Sequence, residues 1–335
     1  MRIACLGECM VELSRLRDGS LKVSYGGDTL NTAIYLSRLG VDVGYVTALG
    51  DDPYSDDMIS KWRDEGVDTR FAIRAKGRMP GLYAIRTDGR GDRSFQYWRD
   101  HSPVNDLFGL SEFSESSQAR EHLRNIDFLF LSGITLSLFS EDDRVELFEL
   151  LDVQRERGGK VVFDTNHRSS RWSSDDAARA VYREMLERVD LALPTLEDEM
   201  LLFSDEDAYA CAARHHDAGV SEVAVKMGEG GCLVSCDGKG ERNGGGERKG
   251  RGERKGRGER DGRREREAVQ IPLSERREAK DTTGAGDSFN AGYLAARLNG
   301  REPAEAVAIG QTIAAEVVMH HGAIIPREAM PEIAI

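Results

Sequence analysis

The sequence predicts an α/β fold of three layers, in which helices cover both faces of a mainly parallel sheet, with a small additional β-sheet. Two observations lead to this prediction. Short apolar runs that suit buried strands alternate with longer stretches of helical periodicity along most of the chain, which is typical of a parallel sheet. This alternation breaks between residues 71 and 99, where short alternating strands are separated by glycine-rich turns.

The expected core elements follow in chain order. Strands are expected at 2–11, 43–49, 127–132, 160–164, 190–193, 222–227, 231–235 and 268–272. Helices are expected at 29–39, 54–65, 142–157, 175–188, 197–203, 206–218, 285–298 and 303–320. The short strands at 71–73, 81–87 and 93–99 should join residues 12–26 in the small sheet. We therefore expect a core of 1–11, 28–70 and 104–335, and a β lid of 12–27 and 71–103.

Length and composition indicate a cytoplasmic enzyme. The chain has 335 residues, and its longest apolar run, near residues 128–139, is shorter than the roughly 18 residues of a membrane span. Glu8 and Glu12 interrupt the N-terminal apolar stretch, which therefore predicts a strand rather than a secretion signal. The five cysteines have no histidine in ligand spacing, so we expect buried thiols and no structural metal.

Residues 238–267 differ in composition from the rest of the chain. They consist mainly of glycine and charged residues and contain no apolar side chain, so we expect a disordered insert within the core. Positions 239–267 carry 12 basic and 7 acidic residues, which leaves the remainder strongly acidic. An acidic body argues against nucleic-acid binding by the core. The arginine-glycine pattern leaves open a tether for RNA or an acidic partner.

The stretch 281–289, which reads Asp-Thr-Thr-Gly-Ala-Gly-Asp-Ser-Phe, lies where a polar segment becomes an apolar helix. Gly284 and Gly286 allow a tight turn, so that the amides of Gly284, Ala285 and Gly286 can converge on an anion. Asp287 in the first helical turn can accept the proton of an attacking hydroxyl. Phosphoryl transfer to an alcohol is the chemistry that this pattern favours, and we expect Asp287 to stay ionised over a wide pH range.

Taken alone, a short match of this kind is better explained as a turn with a capping aspartate. A second glycine turn before a helix, residues 26–33, strengthens the functional interpretation. Its short polar groups can approach the hydroxyls of a sugar closely, and we expect the following residues to bind them: Gly26, Gly27, Asp28 and Asn31.

Together the two segments resemble the two motifs of the ribokinase (PfkB) family of carbohydrate kinases. The likeness continues through Gly7-Glu8-Cys9-Met10, Phe95-Gln96-Tyr97-Trp98-Arg99 and Asp164-Thr165-Asn166-His167-Arg168, and it covers nearly the whole chain except the insert. It implies a ribokinase-like sandwich whose lid closes over the sugar, with ATP and Mg²⁺ as cofactors. The implied reaction is phosphorylation of the terminal hydroxyl of 2-keto-3-deoxygluconate. Fructokinase or ribokinase activity is the alternative within the family, and a catalytically silent sugar-binding regulator the alternative outside it.

The resemblance also implies further residues of the acceptor pocket: Tyr83, Tyr97, Arg99 and Arg168. Two arginines suit a substrate that carries a carboxylate, because the guanidinium fork makes paired, charge-assisted hydrogen bonds. The alternative is that these arginines are charged residues on the surface of the lid.

The sequence contains no P-loop motif for binding the nucleotide. The resemblance instead places the following residues near the phosphate donor: Thr195, Lys226, Gly228, Gly231 and Thr283. The family's Asn-x-x-Glu metal motif is replaced here by Thr195-Leu196-Glu197-Asp198, which makes Asp198 the implied metal residue. Asp281 and Thr283 match positions that bind a monovalent cation in some relatives. A potassium requirement and a homo-oligomeric state are left open.

Overall fold

The computed structural model describes residues 2–16, 18–87, 93–114, 117–237 and 267–335. The insert expected at 238–267 lies outside these residues, except for Glu267. The strands of the described chain are β1 (Ile3–Leu6), β2 (Met10–Arg15), β3 (Leu21–Gly26), β4 (Val43–Leu49), β5 (Ala72–Arg74), β6 (Leu82–Thr87), β7 (Arg93–Trp98), β8 (Phe128–Ser132), β9 (Lys160–Asp164), β10 (Leu191–Ala192), β11 (Glu222–Lys226), β12 (Cys232–Cys236) and β13 (Glu267–Ile271).

Its α-helices are α1 (Asp28–Arg38), α2 (Pro53–Asp64), α3 (Gln118–Leu123), α4 (Gly133–Leu138), α5 (Glu141–Glu156), α6 (Asp175–Leu186), α7 (Leu196–Phe203), α8 (Ala208–Asp217), α9 (Ala285–Leu298) and α10 (Pro303–Val317). Several begin at a side chain that accepts a hydrogen bond from a free backbone N–H of the first turn, such as Ser140 before α5 and Ser174 before α6. None of the described helices is long and apolar enough to cross a membrane.

Nine strands form the main sheet, in the order β13-β12-β11-β10-β9-β8-β1-β4-β5. From β11 to β5 all neighbouring strands are parallel, whereas β12 runs antiparallel to both of its neighbours. Every residue of β4 is buried, as expected for a strand with helices on both faces. The carboxyl ends of the parallel strands therefore meet at one edge of the sheet, where open α/β sheets bind their ligands.

The helices divide into two layers. One apolar core packs α1, α2, α9 and α10 against one face of the sheet, and a second packs α5, α6 and α8 against the other. Successive residues of β1 alternate between them, since Ile3 and Cys5 belong to the first core and Ala4 and Leu6 to the second. The three-layer architecture expected from the sequence is confirmed.

Four strands form a separate small sheet, in the order β3-β2-β6-β7. Two antiparallel hairpins, β2–β3 and β6–β7, lie side by side through a parallel pairing of β2 with β6. Ser24, Glu12, Tyr83 and Tyr97 are successive partners across this sheet, so they form one row on one face. It is the small additional sheet expected from the sequence, and its role as a lid over the sugar site stays a prediction.

Two expectations about strands were wrong. The strand expected in the lid at 71–73 is β5, which pairs in parallel with β4 at the edge of the main sheet, Thr47 opposite Ala72. Three apolar residues are too few to show a period, and these bury against the main core. The single strand expected at 2–11 is divided at Gly7, where the chain leaves the main sheet for the lid.

Candidate active site

The two glycine motifs meet at the carboxyl edge of the main sheet. Asn31 in the first turn of α1 donates a hydrogen bond from Nδ2 to Oδ2 of Asp287 in the first turn of α9, at 2.8 Å. Thr32 Oγ1 donates to the backbone carbonyl of Asp287 at 3.3 Å. The residues expected to bind the sugar and the residue expected to act as base are thus brought together.

The two glycines of the second motif have different roles. Gly284 precedes α9 with φ +79°, and a Cβ on it would lie 2.7 Å from the Cα of Ala323, so this position requires glycine. Gly286 lies within the helix. Among the described residues beyond its chain neighbours and its own helix backbone, Nζ of Lys226 is the one atom within 4 Å of the position of its missing Cβ, at 3.8 Å. The expected tight turn therefore depends on Gly284, whereas Gly286 leaves open space in front of Lys226.

The start of α9 has backbone donors available for an anion. The N–H of Ala285 is used, because it donates to the carbonyl of Thr282 at 3.2 Å. Within the described chain, no hydrogen bond occupies the N–H groups of Gly284, Gly286 or Asp287. Free amides at a helix N-terminus form an anion site, so the donors differ by one residue from the set Gly284, Ala285 and Gly286 expected from the sequence.

Asp287 is surrounded by other charges. Desolvation in the cleft and the nearby Asp28 carboxylate raise the pKa of Asp287 to about 8, whereas the Asn31 hydrogen bond and Lys226 act in the opposite direction. The expectation that Asp287 stays ionised over a wide pH range was therefore wrong. A helix N-terminus lowers the pKa of a lone carboxyl, but here burial and a second carboxylate outweigh it.

The acceptor side of the site is built from close backbone contacts. A side chain on Gly27 would overlap the carbonyl oxygen of Glu8, and a Cβ on Gly26 would lie 2.8 Å from the Tyr83 hydroxyl. Asp28 accepts a hydrogen bond from Nδ2 of Asn166 at 2.9 Å, and desolvation raises its pKa. Gly26 thus allows Tyr83 of the small sheet to approach the start of α1, and Gly27 allows the backbone at Glu8 to do so.

The lid presents an aromatic surface beside these glycines. The rings of Tyr83 and Tyr97 lie 5.8 Å apart, and the Tyr97 side chain is 53% exposed. The Tyr83 hydroxyl donates to Glu12, which also accepts from Ser24 at 2.9 Å. Glu12 and Ser24 were not predicted as part of this row, because their places beside Tyr83 depend on the pairing of β2 with β3 and β6.

The two expected arginines occupy different environments. The guanidinium of Arg99 donates to the carboxylate of Glu8, and both side chains are buried. The Arg168 side chain is 52% exposed and lies 3.6 Å from Asp198. Burial rules out the interpretation of Arg99 as a lid-surface charge. The pairing of Glu8 with Arg99 was not predicted from the sequence.

On the donor side, the end of β11 brings together Lys226, Thr195 and a tight turn. Thr195 forms a parallel bridge with Lys226, and the turn that follows holds Gly228 and Gly231 at φ +51° and +87°. A side chain on Gly231 would overlap the carbonyl oxygen of Ile271, so this glycine is required by strand packing. The hydroxyl of Thr283 donates to Asp281 at 2.7 Å.

The two residues implied for cations differ in availability. Asp281 accepts hydrogen bonds through both oxygens, from Thr283 and from the N–H of Gly322. Asp198 accepts through Oδ2 from the N–H of His167 at 3.1 Å, and desolvation raises its pKa to about 6. No hydrogen bond to Asp198 Oδ1 is made by any described residue. A carboxylate oxygen of this kind fits the preference of Mg²⁺ for hard oxygen ligands.

One group of side chains contradicts the expectation that no cysteine has a histidine in ligand spacing. Cys211 and His215 lie one turn apart on α8, and together with Glu199 they form a buried group. The Glu199 carboxylate already contacts the guanidinium of Arg214. A fixed positive charge at this carboxylate disfavours a metal cation, and the group takes no part in the site described above.

A buried carboxylate beside free amides at one helix start is an arrangement that suits phosphoryl transfer to a hydroxyl. The model of the pfkB family of carbohydrate kinases matches residues 1–248 and 263–330. The chain belongs to the pfkB family of carbohydrate kinases.

Similar proteins of this family support the assignment. The chain is 42% identical to 2-dehydro-3-deoxygluconokinase of Escherichia coli K12, over 98% of this chain and 99% of the relative. It is 39% identical to 2-dehydro-3-deoxygluconokinase of Dickeya dadantii, over 98% of each chain. A solved structure of a putative ribokinase II of E. coli, in complex with ATP and Mg²⁺, superposes with a TM-score of 0.75 at 21% identity, over 98% of this chain and 96% of that chain.

Proposed function

We propose that the protein transfers the γ-phosphoryl group of ATP to the terminal hydroxyl of 2-keto-3-deoxygluconate (2-dehydro-3-deoxygluconate), in the cytoplasm. The contact between Asn31 and Asp287 carries this proposal, because it brings an acceptor-binding turn against the base at the helix start. The two named relatives that match at 42% and 39% identity over nearly the whole chain support the choice of acceptor.

In this mechanism the sugar hydroxyl lies beside Asp287, and the ionised carboxylate accepts its proton as the hydroxyl oxygen attacks phosphorus in line. The free N–H groups of Gly284, Gly286 and Asp287 stabilise charge on the transferred group. No covalent enzyme intermediate forms. Gly26, Gly27, Asp28 and Asn31 hold the sugar hydroxyls, and the lid excludes water through Tyr83 and Tyr97.

The nucleotide lies along the residues that end β11 and begin α7 and α9: Thr195, Lys226, Gly228, Gly231 and Thr283. Asp198 offers a carboxylate oxygen, directly or through water, to the Mg²⁺ that accompanies the nucleotide. When bound, this ion spreads the charge of the donor phosphates. A monovalent cation near Asp281 stays a prediction.

Recognition of the substrate carboxylate is assigned to Arg99 and Arg168. The Arg168 side chain is half exposed and can swing toward a ligand, whereas Arg99 is held by Glu8. Paired, charge-assisted hydrogen bonds from guanidinium groups favour a sugar acid over a neutral hexose.

The test is release of ADP by the purified protein with ATP and Mg²⁺, with and without potassium chloride, comparing 2-keto-3-deoxygluconate with fructose, ribose and no sugar. Turnover with the keto-deoxy acid well above the other sugars is expected. Preference for fructose or ribose would overturn the acceptor assignment and retain a sugar kinase. Absence of turnover with all three acceptors would overturn the proposed reaction.

A further inference from the structure

A closed triangle of polar side chains lies buried beneath the glycine loop. Nζ of Lys226 donates to Oδ2 of Asp164 at 3.1 Å and to Oδ1 of Asn290 at 3.0 Å, and Nδ2 of Asn290 donates to the same Asp164 oxygen at 2.6 Å. All three side chains are more than nine-tenths buried. Neither Asp164 nor Asn290 has a role in the mechanism described above.

The three residues come from three separate elements. Asp164 ends β9, Lys226 ends β11, and Asn290 lies one turn after Gly286 on α9. A buried ammonium is costly unless it is paired and hydrogen-bonded, and the triangle meets both conditions. Its geometry therefore fixes one positive charge at a defined place in the site.

That place is next to the proposed anion site. Nζ lies 3.8 Å from the position that a Cβ on Gly286 would occupy, and the glycine leaves the intervening space open. A lysine ammonium has three N–H donors, of which Asp164 and Asn290 use two. The third remains for a ligand oxygen in front of the loop.

Asp164 also links the triangle to the acceptor side. Its Oδ1 accepts from the N–H of Asn166 at 3.2 Å, and Asn166 donates to Asp28 at 2.9 Å. Asp287 is thereby faced by Asp28 from α1, Asp164 from β9 and Lys226 from β11, with the Tyr35 hydroxyl also within electrostatic range. In this set Lys226 is the one cation.

We propose that Asp164 and Asn290 are positioning residues that hold the Lys226 ammonium against the glycine loop, where its charge acts on the transferred phosphoryl group and on the Asp287 carboxylate. Lys226 keeps its proton throughout the reaction, so the charge is electrostatic and no further bond is made or broken. The inference rests on the proposed phosphoryl transfer, but not on the identity of the acceptor.

The first test compares Lys226→Met and Asn290→Leu with the parent enzyme, using the best acceptor found. Both variants should lower kcat by about 10²-fold, the magnitude typical of losing one fixed electrostatic contact to the transition state. In Lys226→Met the acid limb of kcat/KM should move to higher pH, because Asp287 loses the cation of the set named above, which lowers its pKa. Lys226→Arg, which keeps the charge, should leave that limb near the parent value.

A binding measurement separates this role from a structural one. ADP lacks the transferred group, which is the part of the nucleotide proposed to lie at the Lys226 ammonium, so affinity for Mg·ADP should stay within about threefold in Lys226→Met. Affinity for Mg·ADP with aluminium fluoride and the sugar, which imitates the transferred group, should fall at least tenfold. Two matched controls are Lys61→Met at an exposed lysine and Asn299→Leu at the other end of α9. Both should behave like the parent.

The outcomes are distinguishable. The inference would be overturned if Lys226→Met kept the kcat, the pH profile and the aluminium fluoride complex affinity of the parent. It would also be overturned if Lys226→Met lost affinity for Mg·ADP by as much as it lost affinity for the aluminium fluoride complex. If Asn290→Leu does not fold, Asn290→Ser takes its place, because serine keeps an acceptor for Lys226 but not the hydrogen bond to Asp164. A parental kcat in Asn290→Ser would remove Asn290 from the proposal. A parent enzyme that phosphorylates fructose and not the keto-deoxy acid would sink the acceptor assignment alone.

Discussion

Asn31 and Asp287 are joined by a hydrogen bond of 2.8 Å although 256 positions separate them in the chain. The amide donates, so the bond is stronger when the Asp287 carboxyl is ionised. Asn31 therefore favours the ionised form of Asp287, which is the form that can accept a proton.

Replacement of the base should abolish most of the activity. Asp287→Asn keeps the shape of the side chain but removes the proton acceptor, and kcat should fall about 10²–10⁴-fold, the usual contribution of general base catalysis. Steady-state ADP release with the best acceptor measures this change. Binding of Mg·ADP should be retained, which serves as the control for folding. A variant as active as the parent would contradict the assignment of Asp287.

The pH dependence should report the same group. Since the active form of Asp287 is ionised and its pKa is raised to about 8, kcat/KM should rise with pH between about 6 and 9. Asn31→Ala removes a hydrogen bond that lowers this pKa, so its acid limb should lie at higher pH than that of the parent. Profiles recorded with both enzymes in the same buffers check the shift. If the acid limbs of the two pH profiles coincide, Asn31 does not influence the pKa of Asp287.

The same shift links pH to stability. The folded protein holds a proton on Asp287 that the unfolded chain releases near pH 4, so this group makes unfolding easier as pH rises from about 4 to 8. Asp287→Asn should therefore unfold at a higher temperature than the parent at pH 8, with the difference vanishing toward pH 4. Calorimetry without ligands at both pH values measures it. A variant less stable at pH 8 would show that Asp287 is ionised in the free protein.

The two loop glycines should respond differently to alanine. Gly284→Ala places a side chain at φ +79° against Ala323, and should cost at least the roughly 1–3 kcal/mol of a left-handed non-glycine residue. Gly286→Ala has room for its methyl group and should unfold at the parental temperature, but the methyl occupies the space in front of Lys226 and should lower kcat. Thermal unfolding and kcat, measured on both variants, separate the two effects. Equal stability losses would contradict the distinction.

Replacement of Arg168 should weaken substrate binding alone, whereas replacement of Arg99 should also lower the stability of the protein. Arg168→Ala should raise KM for the keto-deoxy acid about tenfold or more with little change in unfolding, since its side chain is half exposed. Arg99→Ala leaves Glu8 as an unpaired buried carboxylate and should destabilise the protein by about 3–5 kcal/mol in addition to any effect on KM. Unchanged KM values in both variants, with the sugar acid as substrate, would contradict recognition through these arginines.

Much of the fold was predictable, because buried parallel strands and amphipathic helices have clear periods. The strands at 43–49 and 160–164 and the helix at 285–298 match the structure to the residue. Pairing was harder to foresee. The short run at 71–73 is apolar on both faces, and its pairing with β4, far away in the chain, is what assigns it to the main sheet.

The candidate site was predictable where glycine and a carboxylate occur in one motif, as at 284–287. It was not predictable where function depends on partners from distant strands. Neither the burial of Arg99 against Glu8 nor the triangle of Asp164, Lys226 and Asn290 has a local sequence signal. The raised pKa of Asp287 likewise depends on Asp28, which a different helix supplies.

The parallel pairing of β2 with β6 has a consequence for how the chain folds. The lid is made from two excursions of the chain, and each contributes only a hairpin, which is marginally stable by itself in water. The hairpins come side by side only after β1, β4 and β5 have fixed the points from which the excursions leave. The lid should therefore fold late, and its amides should exchange with solvent before those of the main sheet.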